Sequence, residues 1–213
     1  MEDLRLECLL GKTKNVFQKI TQNDYMKNFV LVGGSALALH LCHRQSEDLD
    51  FFTYSDSFNF SLNEINKITK NFQKEIVNIS DEQMDIFLDG VKVTFFNAKW
   101  KLLKPKKIQN INVASLEQIA IMKTNTLFLR AKYRDYYDLY FLSKKIGVQK
   151  IYELSKNILD GINFKLFATA LVYIEDIEDE KVDHLLPKKK LTLKNIRTYF
   201  ENELKKIRYE GVK

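Results

Sequence analysis

The stretch FVLVGGSALALHLCHRQSEDLDFFT, Phe29 to Thr53, constrains this chain more than any other. Phe29-Val30-Leu31-Val32 is a short apolar run with β-branched members, the composition of a buried strand. Gly33-Gly34 follows, and there the backbone can take angles closed to residues with a side chain. Ser35 is placed to cap a helix over Ala36 to Leu41. The N–H groups at such a helix start lack partners inside the helix and form a seat for phosphate. After the polar turn HRQSED comes a second run, Leu49 to Thr53, with Asp48 and Asp50 at its start. Two residues apart on a strand, both carboxylates lie on one face. Such a pair suits Mg²⁺, a hard cation that takes carboxylate and phosphate oxygens. Two such ions can clamp an in-line displacement at phosphorus. The plainer alternative is a glycine turn, a helix and two solvated aspartates.

The 213 residues allow one large domain or two smaller ones. Pro and Gly are scarce, at 2 and 7, which disfavours disorder and favours long helices. The net charge of +6 leans toward a polyanionic partner, a nucleic acid or a nucleotide. Cys8 and Cys42 lack metal-ligand spacing and imply no disulfide framework; Cys42 reads as a small buried filler. That usage fits a reducing cytoplasm. MEDLRLECLL is unlike a signal peptide, and no run approaches the ~18 apolar residues of a membrane span, so no membrane partner is expected.

Along the chain, Leu4 to Tyr25 reads as one or two helices, with Gly11 as a possible break. Leu62 to Ile76 has the spacing of an amphipathic helix. Asp89-Gly90 between two alternating runs predicts a hairpin of Met84 to Leu88 with Val91 to Phe96, pairing Asp85 with Thr94. Trp100 to Lys107 is a lysine-rich linker around Pro105, either a solvated connector or an RNA-backbone contact. Leu116 to about Arg130 is a helix entered through Ser115, and further helices are expected at 136–145, 150–160, 164–173 and 193–207. Between them, Glu175 to Asp183 is acidic and Lys188-Lys189-Lys190 follows Pro187. A second constellation lies in KTNTLFLRAKYRDYYDLYFL, Lys123 to Leu142. Either one helix carries Lys123, Arg130 and Arg134 close to one face, or the helix breaks after Arg130 and Asp135 caps a new one. Asp138, four residues after Arg134, reads as its ion-pair partner. Lys123 sits among Ile119, Ala120, Ile121 and Met122, and a lysine buried there needs a partner.

Gly33-Gly34-Ser35, His43-Arg44-Gln45-Ser46 and Asp48-Leu49-Asp50-Phe51-Phe52 together resemble the AbiEii/AbiGii-type toxin nucleotidyltransferases of the polymerase-beta-like superfamily. Lys123, the turn Arg130-Ala131-Lys132-Tyr133-Arg134-Asp135 and the helix Tyr137-Asp138-Leu139-Tyr140 are similar to that family's second signature. The likeness spans about Phe29 to Leu142. It implies an α+β fold: a mixed sheet with flanking helices over 1–107, then a helical part over 108–213 that completes the cleft. It further implies Mg²⁺ on Asp48 and Asp50, and an NTP held by Gly33, Gly34, Ser35, Arg44, Ser46, Lys123, Arg130 and Arg134. Lys123 matches the family's essential lysine and Asp135 an essential carboxylate. Members often carry a third strand carboxylate where VKVTFF has none; Asp85, its hairpin neighbour, or Asp135 would have to serve, and Asp85 reads more simply as a strand-edge aspartate. The implied role is a cytoplasmic toxin of a toxin–antitoxin or phage-defence pair, with a cognate antitoxin and an RNA acceptor such as the 3′ end of tRNA. Two other readings stay open: a small-molecule nucleotidyltransferase, and a silent nucleic-acid- or partner-binding protein of the same fold.

Overall fold

In a computed structural model, residues 5–104, 106–108, 111–178 and 182–210 are described. They fall into two units, Met1–Ser115 and Leu116–Lys213. The first unit is built on one mixed sheet of seven strands: β1 (Phe29–Val32), β2 (Leu49–Thr53), β3 (Lys74–Ile79), β4 (Gln83–Leu88), β5 (Val91–Phe96), β6 (Lys106–Ile108) and β7 (Ile111–Val113). Their order across the sheet is β3-β4-β5-β2-β1-β7-β6. β1 runs antiparallel to β2 and parallel to β7, and β2 runs parallel to β5. Among the described residues this unit has three α-helices: α1 (Gly11–Ile20), α2 (Gly33–Leu41) and α3 (Leu62–Ile68).

Period-two patterning decides which face of the sheet is dry. On β2, Leu49, Phe51 and Thr53 are buried while Asp50 and Phe52 are only partly so. Met84, Ile86 and Leu88 of β4 and Val93 and Phe95 of β5 continue the dry face. The Phe51 and Phe95 rings stack at 5.7 Å, and Phe29 meets Phe95 edge-on at 5.5 Å. α1 buries Thr13, Val16, Phe17 and Ile20, a stripe at helical spacing. The Asp89-Gly90 hairpin forms with Leu88 opposite Val91 and Asp85 opposite Thr94. Both turn residues have positive φ, 49° and 80°, as a two-residue hairpin turn requires.

Three expectations are corrected. The helix from Leu62 stops at Ile68, and Lys74–Ile79 is the edge strand β3, because pairing to β4 outweighs the local helical spacing. The lysine-rich linker leads into β6, so the sheet runs on to Val113; Pro105 lies outside the described residues. Cys8 and Cys42 form a disulfide, with Cα atoms 5.4 Å apart. The backbone explains their meeting: the Leu10 and Ser46 N–H groups donate to the Ser46 and Cys8 carbonyls, laying the N-terminal segment beside the turn after α2. Cys42 is not helical; it ends α2 in the left-handed region, at φ 47°.

The second unit is helical: α4 (Leu116–Arg130), α5 (Tyr133–Ile146), α6 (Val148–Lys156), α7 (Phe164–Val172) and α8 (Leu193–Glu210). α5 is its central rod, packing on α4, α6 and α8. Three of its buried tyrosines find backbone acceptors, as a buried hydroxyl needs a partner. Tyr133 donates to the Leu191 carbonyl at 2.6 Å, Tyr136 to that of Ala170 at 3.0 Å and Tyr137 to that of Lys189 at 3.0 Å. Burial, with the Asp135 charge beside it, pushes the Tyr136 phenol up to about 12, so it remains a donor. Tyr133, Tyr136 and Tyr137 therefore serve the core.

The disulfide closes a loop with a sequence separation of 34. By loop-closure entropy it should contribute about 3–4 kcal/mol. Urea unfolding with and without reductant, beside the Cys8→Ser/Cys42→Ser variant, should show that difference. An unchanged midpoint in both arms would contradict the pairing.

Candidate active site

The site in the first unit is built where β1 runs directly into α2. Val32, in extended backbone, is the helix cap and offers no side-chain acceptor, so the first N–H groups of α2 are left for another partner. The helix begins at Gly33, not after Ser35. Ser35 is buried inside the first turn, and its hydroxyl donates to the Asp48 carbonyl. The expected cap role for Ser35 is thus replaced by a tie to the carboxylate-bearing segment.

Both glycines are required by close approach. A β-carbon on Gly33, at φ +69°, would lie 2.6 Å from Asp50 Oδ2. One on Gly34 would lie 2.8 Å from Arg44 Nη2 and 3.4 Å from Ser46 Oγ. The helix start is therefore flanked by the Asp50 carboxylate on one side and the Arg44 guanidinium and Ser46 hydroxyl on the other. Asp50 reaches this place because β1 and β2 pair Val32 with it. Asp48 precedes the strand, and buried Leu49 separates the two partly exposed aspartates. The turn between α2 and β2 is pinned throughout. Arg44 is buried and donates from Nη1 to the Gln45 carbonyl at 3.0 Å, and Thr13 Oγ1 donates to the Glu47 carbonyl at 2.8 Å.

Next to Asp50 on β5 stands Thr94, and opposite Thr94 on β4 stands Asp85. Asp85 is buried, more so than a strand-edge aspartate should be. Its Oδ1 accepts from Thr94 Oγ1 at 2.6 Å and its Oδ2 from Gln83 Nε2 at 2.7 Å. Among the described residues, Asp48, Asp50 and Asp85 do not bring three ligand atoms within 4.8 Å of one another.

The second unit gathers a separate cluster. The helix breaks after Arg130, and α5 begins at Tyr133, so the reading of one continuous helical face is set aside. Lys123 is buried, and its Nζ lies 2.8 Å from Asp135 Oδ1 and 2.8 Å from Asp138 Oδ2. Asp135 sits in the first turn of α5, and its Oδ2 accepts from the Lys132 backbone N–H at 3.2 Å. The cap residue is Lys132, with Asp135 bonding back to it. Asp138, read from the sequence as a partner of Arg134, lies against Lys123. The signal for it was available: a lysine in an apolar run needs partners, and positions three apart share a helix face. Arg130 is exposed and Arg134 half-buried, either side of that break.

Two predictions follow from this packing. Gly33→Ala combines a left-handed backbone, worth about 1–2 kcal/mol of strain, with a collision against Asp50, whereas Gly34→Ala meets the far end of the Arg44 side chain and, at ordinary contact distance, Ser46 Oγ. Thermal melts and Mg²⁺-dependent NTP titrations should therefore rank Gly33→Ala as the more damaging; the reverse order would refute the assigned contacts. Lys123→Met strands two buried carboxylates and should cost about 3–5 kcal/mol, read as a lowered unfolding midpoint. A variant as stable as the parent would show that the triad is not buried as described.

Comparison with known proteins follows the same lines. Two crystal structures from Helicobacter pylori, one of them JHP933, match at 20% identity with TM-scores of 0.59 and 0.58, over 92% and 93% of this chain and 93% of each of theirs. ANT(2'')-Ia in complex with adenylyl-2''-tobramycin matches at 12% identity with a TM-score of 0.50, over 66% of this chain and 93% of that one. These likenesses establish the nucleotidyltransferase fold. An uncharacterized protein of Aquifex aeolicus (strain VF5), aq_aa25, is 29% identical over 209 residues, 91% of this chain and 98% of that protein. Residues 16–211 match the family described as nucleotidyl transferase AbiEii toxin, type IV TA system. With a glycine-opened helix start set against two aspartates, and that match over most of its length, the chain belongs to the AbiEii family and is a nucleotidyltransferase.

Proposed function

We propose that this protein transfers a nucleoside monophosphate from an NTP to an RNA acceptor in an Mg²⁺-dependent reaction. The observation that carries the reading is Asp50 packed against Gly33 at the uncapped start of α2, with Asp48 two residues before it. Hard oxygen donors beside a helix start whose cap residue offers no side-chain acceptor fit a metal-bound triphosphate in both halves. Asp48 and Asp50 would hold the ion, which when bound supplies Lewis acidity and charge neutralisation at phosphorus. The N–H groups of Gly33, Gly34 and Ser35 would bind phosphate oxygens. Arg44 and Ser46, packed on Gly34, would add a cation and a hydroxyl beside them. The Ser35 hydroxyl keeps Asp48 tied to that helix start.

We assign Lys123, Arg130 and Arg134 to the charge of the triphosphate, and Asp135 to the acceptor hydroxyl. The acceptor oxygen bonds to the α-phosphorus, the bond from the α-phosphorus to its bridging oxygen breaks, and pyrophosphate leaves. The acceptor's proton passes to Asp135. The family description supports a further step, that this chain is the toxin of a type IV pair opposed by a separately encoded antitoxin. The 3′ end of tRNA is the acceptor we favour. No helix among the described residues is long and apolar enough to cross a membrane.

Incubation of purified protein with total RNA and each labelled NTP in turn tests the reaction. A labelled RNA band is expected, and Asp48→Asn/Asp50→Asn should lose it together with metal-dependent NTP binding. A double variant that binds Mg·NTP like the parent would remove the metal assignment. Expression in a host without antitoxin should arrest growth for the parent and not for Asp48→Ala. Equal growth of both would end the toxin reading.

A further inference from the structure

We infer that Lys188, Lys189 and Lys190 form a fixed track for the phosphate backbone of a single-stranded nucleic acid, leading to the first turn of α5. The inference rests on the reaction proposed above for its biological use, though not for its test.

A run of three lysines is ordinarily a mobile, solvated segment. Here all three side chains are exposed, yet the backbone beneath them is held at several points. Leu185, just before the run, is fully buried. Tyr137 Oη donates to the Lys189 carbonyl at 3.0 Å and accepts from the Lys189 N–H at 3.3 Å. Tyr133 Oη donates to the Leu191 carbonyl at 2.6 Å. Immediately after, Thr192 and Asn195 exchange cap hydrogen bonds at the start of α8. The two tyrosines stand one turn apart on α5, with ring centres 5.9 Å apart. Both are buried, so the run is docked on the core by its main chain while its ammonium groups face outward.

The docking site places this charge beside other cations. Tyr133 lies between exposed Lys132 and half-buried Arg134. At ~100° per residue around α5, Arg134 falls between the tyrosine stripe and the turn carrying Asp135 and Asp138. The run is thus docked on the same turn of α5 that carries Arg134. One interaction draws on the run: Lys190 lies 3.1 Å from exposed Asp183, a pair worth little in water. A strand of phosphates is the ligand whose repeated charge matches a preset row of ammonium groups. Fixing the backbone beforehand lowers the entropy lost on binding.

The test uses the full-length protein and a fluorescent single-stranded RNA 12-mer, titrated by anisotropy over a range of salt. Three variants are compared: Lys188→Gln/Lys189→Gln/Lys190→Gln; a control of equal charge loss on exposed residues of the same unit, Lys150→Gln/Lys156→Gln/Lys165→Gln; and Tyr137→Phe. Each phosphate contact carries a slope of about 0.7 in log K against log salt on single strands. The lysine-run variant should therefore lose about 2 from that slope, with NTP affinity unchanged, while the control keeps it. Tyr137→Phe retains every lysine and should still weaken RNA binding, provided circular dichroism shows it folded. Equal losses in the run variant and the control would overturn the inference. So would polyglutamate competing as well as RNA, which would make an acidic protein segment the occupant. Failure of nucleotidyl transfer with every NTP would leave this binding result standing, so the two readings fail separately.

Discussion

Asp50 occupies the space that a β-carbon on residue 33 would fill, and much of the first unit serves to keep it there. The contact depends on register: β1 and β2 must pair Val32 with Asp50. A slip of one residue would turn Asp50 toward the dry face and expose Leu49 and Phe51, burying a charge and losing an aromatic stack at once. The aromatic face formed by Phe29, Phe51 and Phe95 is thus also what aims the carboxylate. The segment before β2 is held from the other side by the Ser35 and Thr13 hydroxyls and the Cys8–Cys42 bond. Stability and site geometry share the same residues here, so a change to either is felt in both.

This part of the molecule was legible because its signals are local. Gly33-Gly34 after an apolar run and an aspartate pair before another give strand, helix start and strand without long-range information. The Asp89-Gly90 hairpin and the span of α4 were legible for the same reason: turn chemistry and helical spacing act within a few residues. What escaped was decided at a distance. Lys74–Ile79 continues a helical pattern on paper and becomes a strand only because β4 is there to pair with it. β6 and β7 are three residues each and have no period of their own to read. The cysteines, far apart in sequence, meet through a bridge between Leu9 and Ser46 that no spacing rule announces. Asp85 looked like an edge aspartate because β3, which covers its strand, was read as helix.

The abundance of tyrosine shows a similar limit. Composition alone leaves tyrosine ambiguous between a stacking surface for bases and packing for a core. The hydroxyl partners separate the two uses. Tyr133, Tyr136 and Tyr137 direct their phenols at backbone carbonyls of the loops and helix after α5, so each ring packs in the core while its tip fastens a distant segment. The rings are therefore unavailable as an open platform.

The triad of Lys123, Asp135 and Asp138 is harder to justify by stability than it first appears. Two carboxylates meet one ammonium in a buried place. Asp135 is favoured by its position in the first turn of α5, where the helix dipole and the Lys132 N–H stabilise an anion. Even so, buried ion pairs of this kind are commonly matched or exceeded in stability by apolar residues of the same volume. A chain selected for stability alone would have no reason to keep three charged groups here. What the triad provides that apolar residues cannot is an ammonium and a carboxylate held in fixed orientation by groups that are themselves immobile, the arrangement that the proposed transfer would need to neutralise phosphate charge and take up the acceptor's proton without reorganisation.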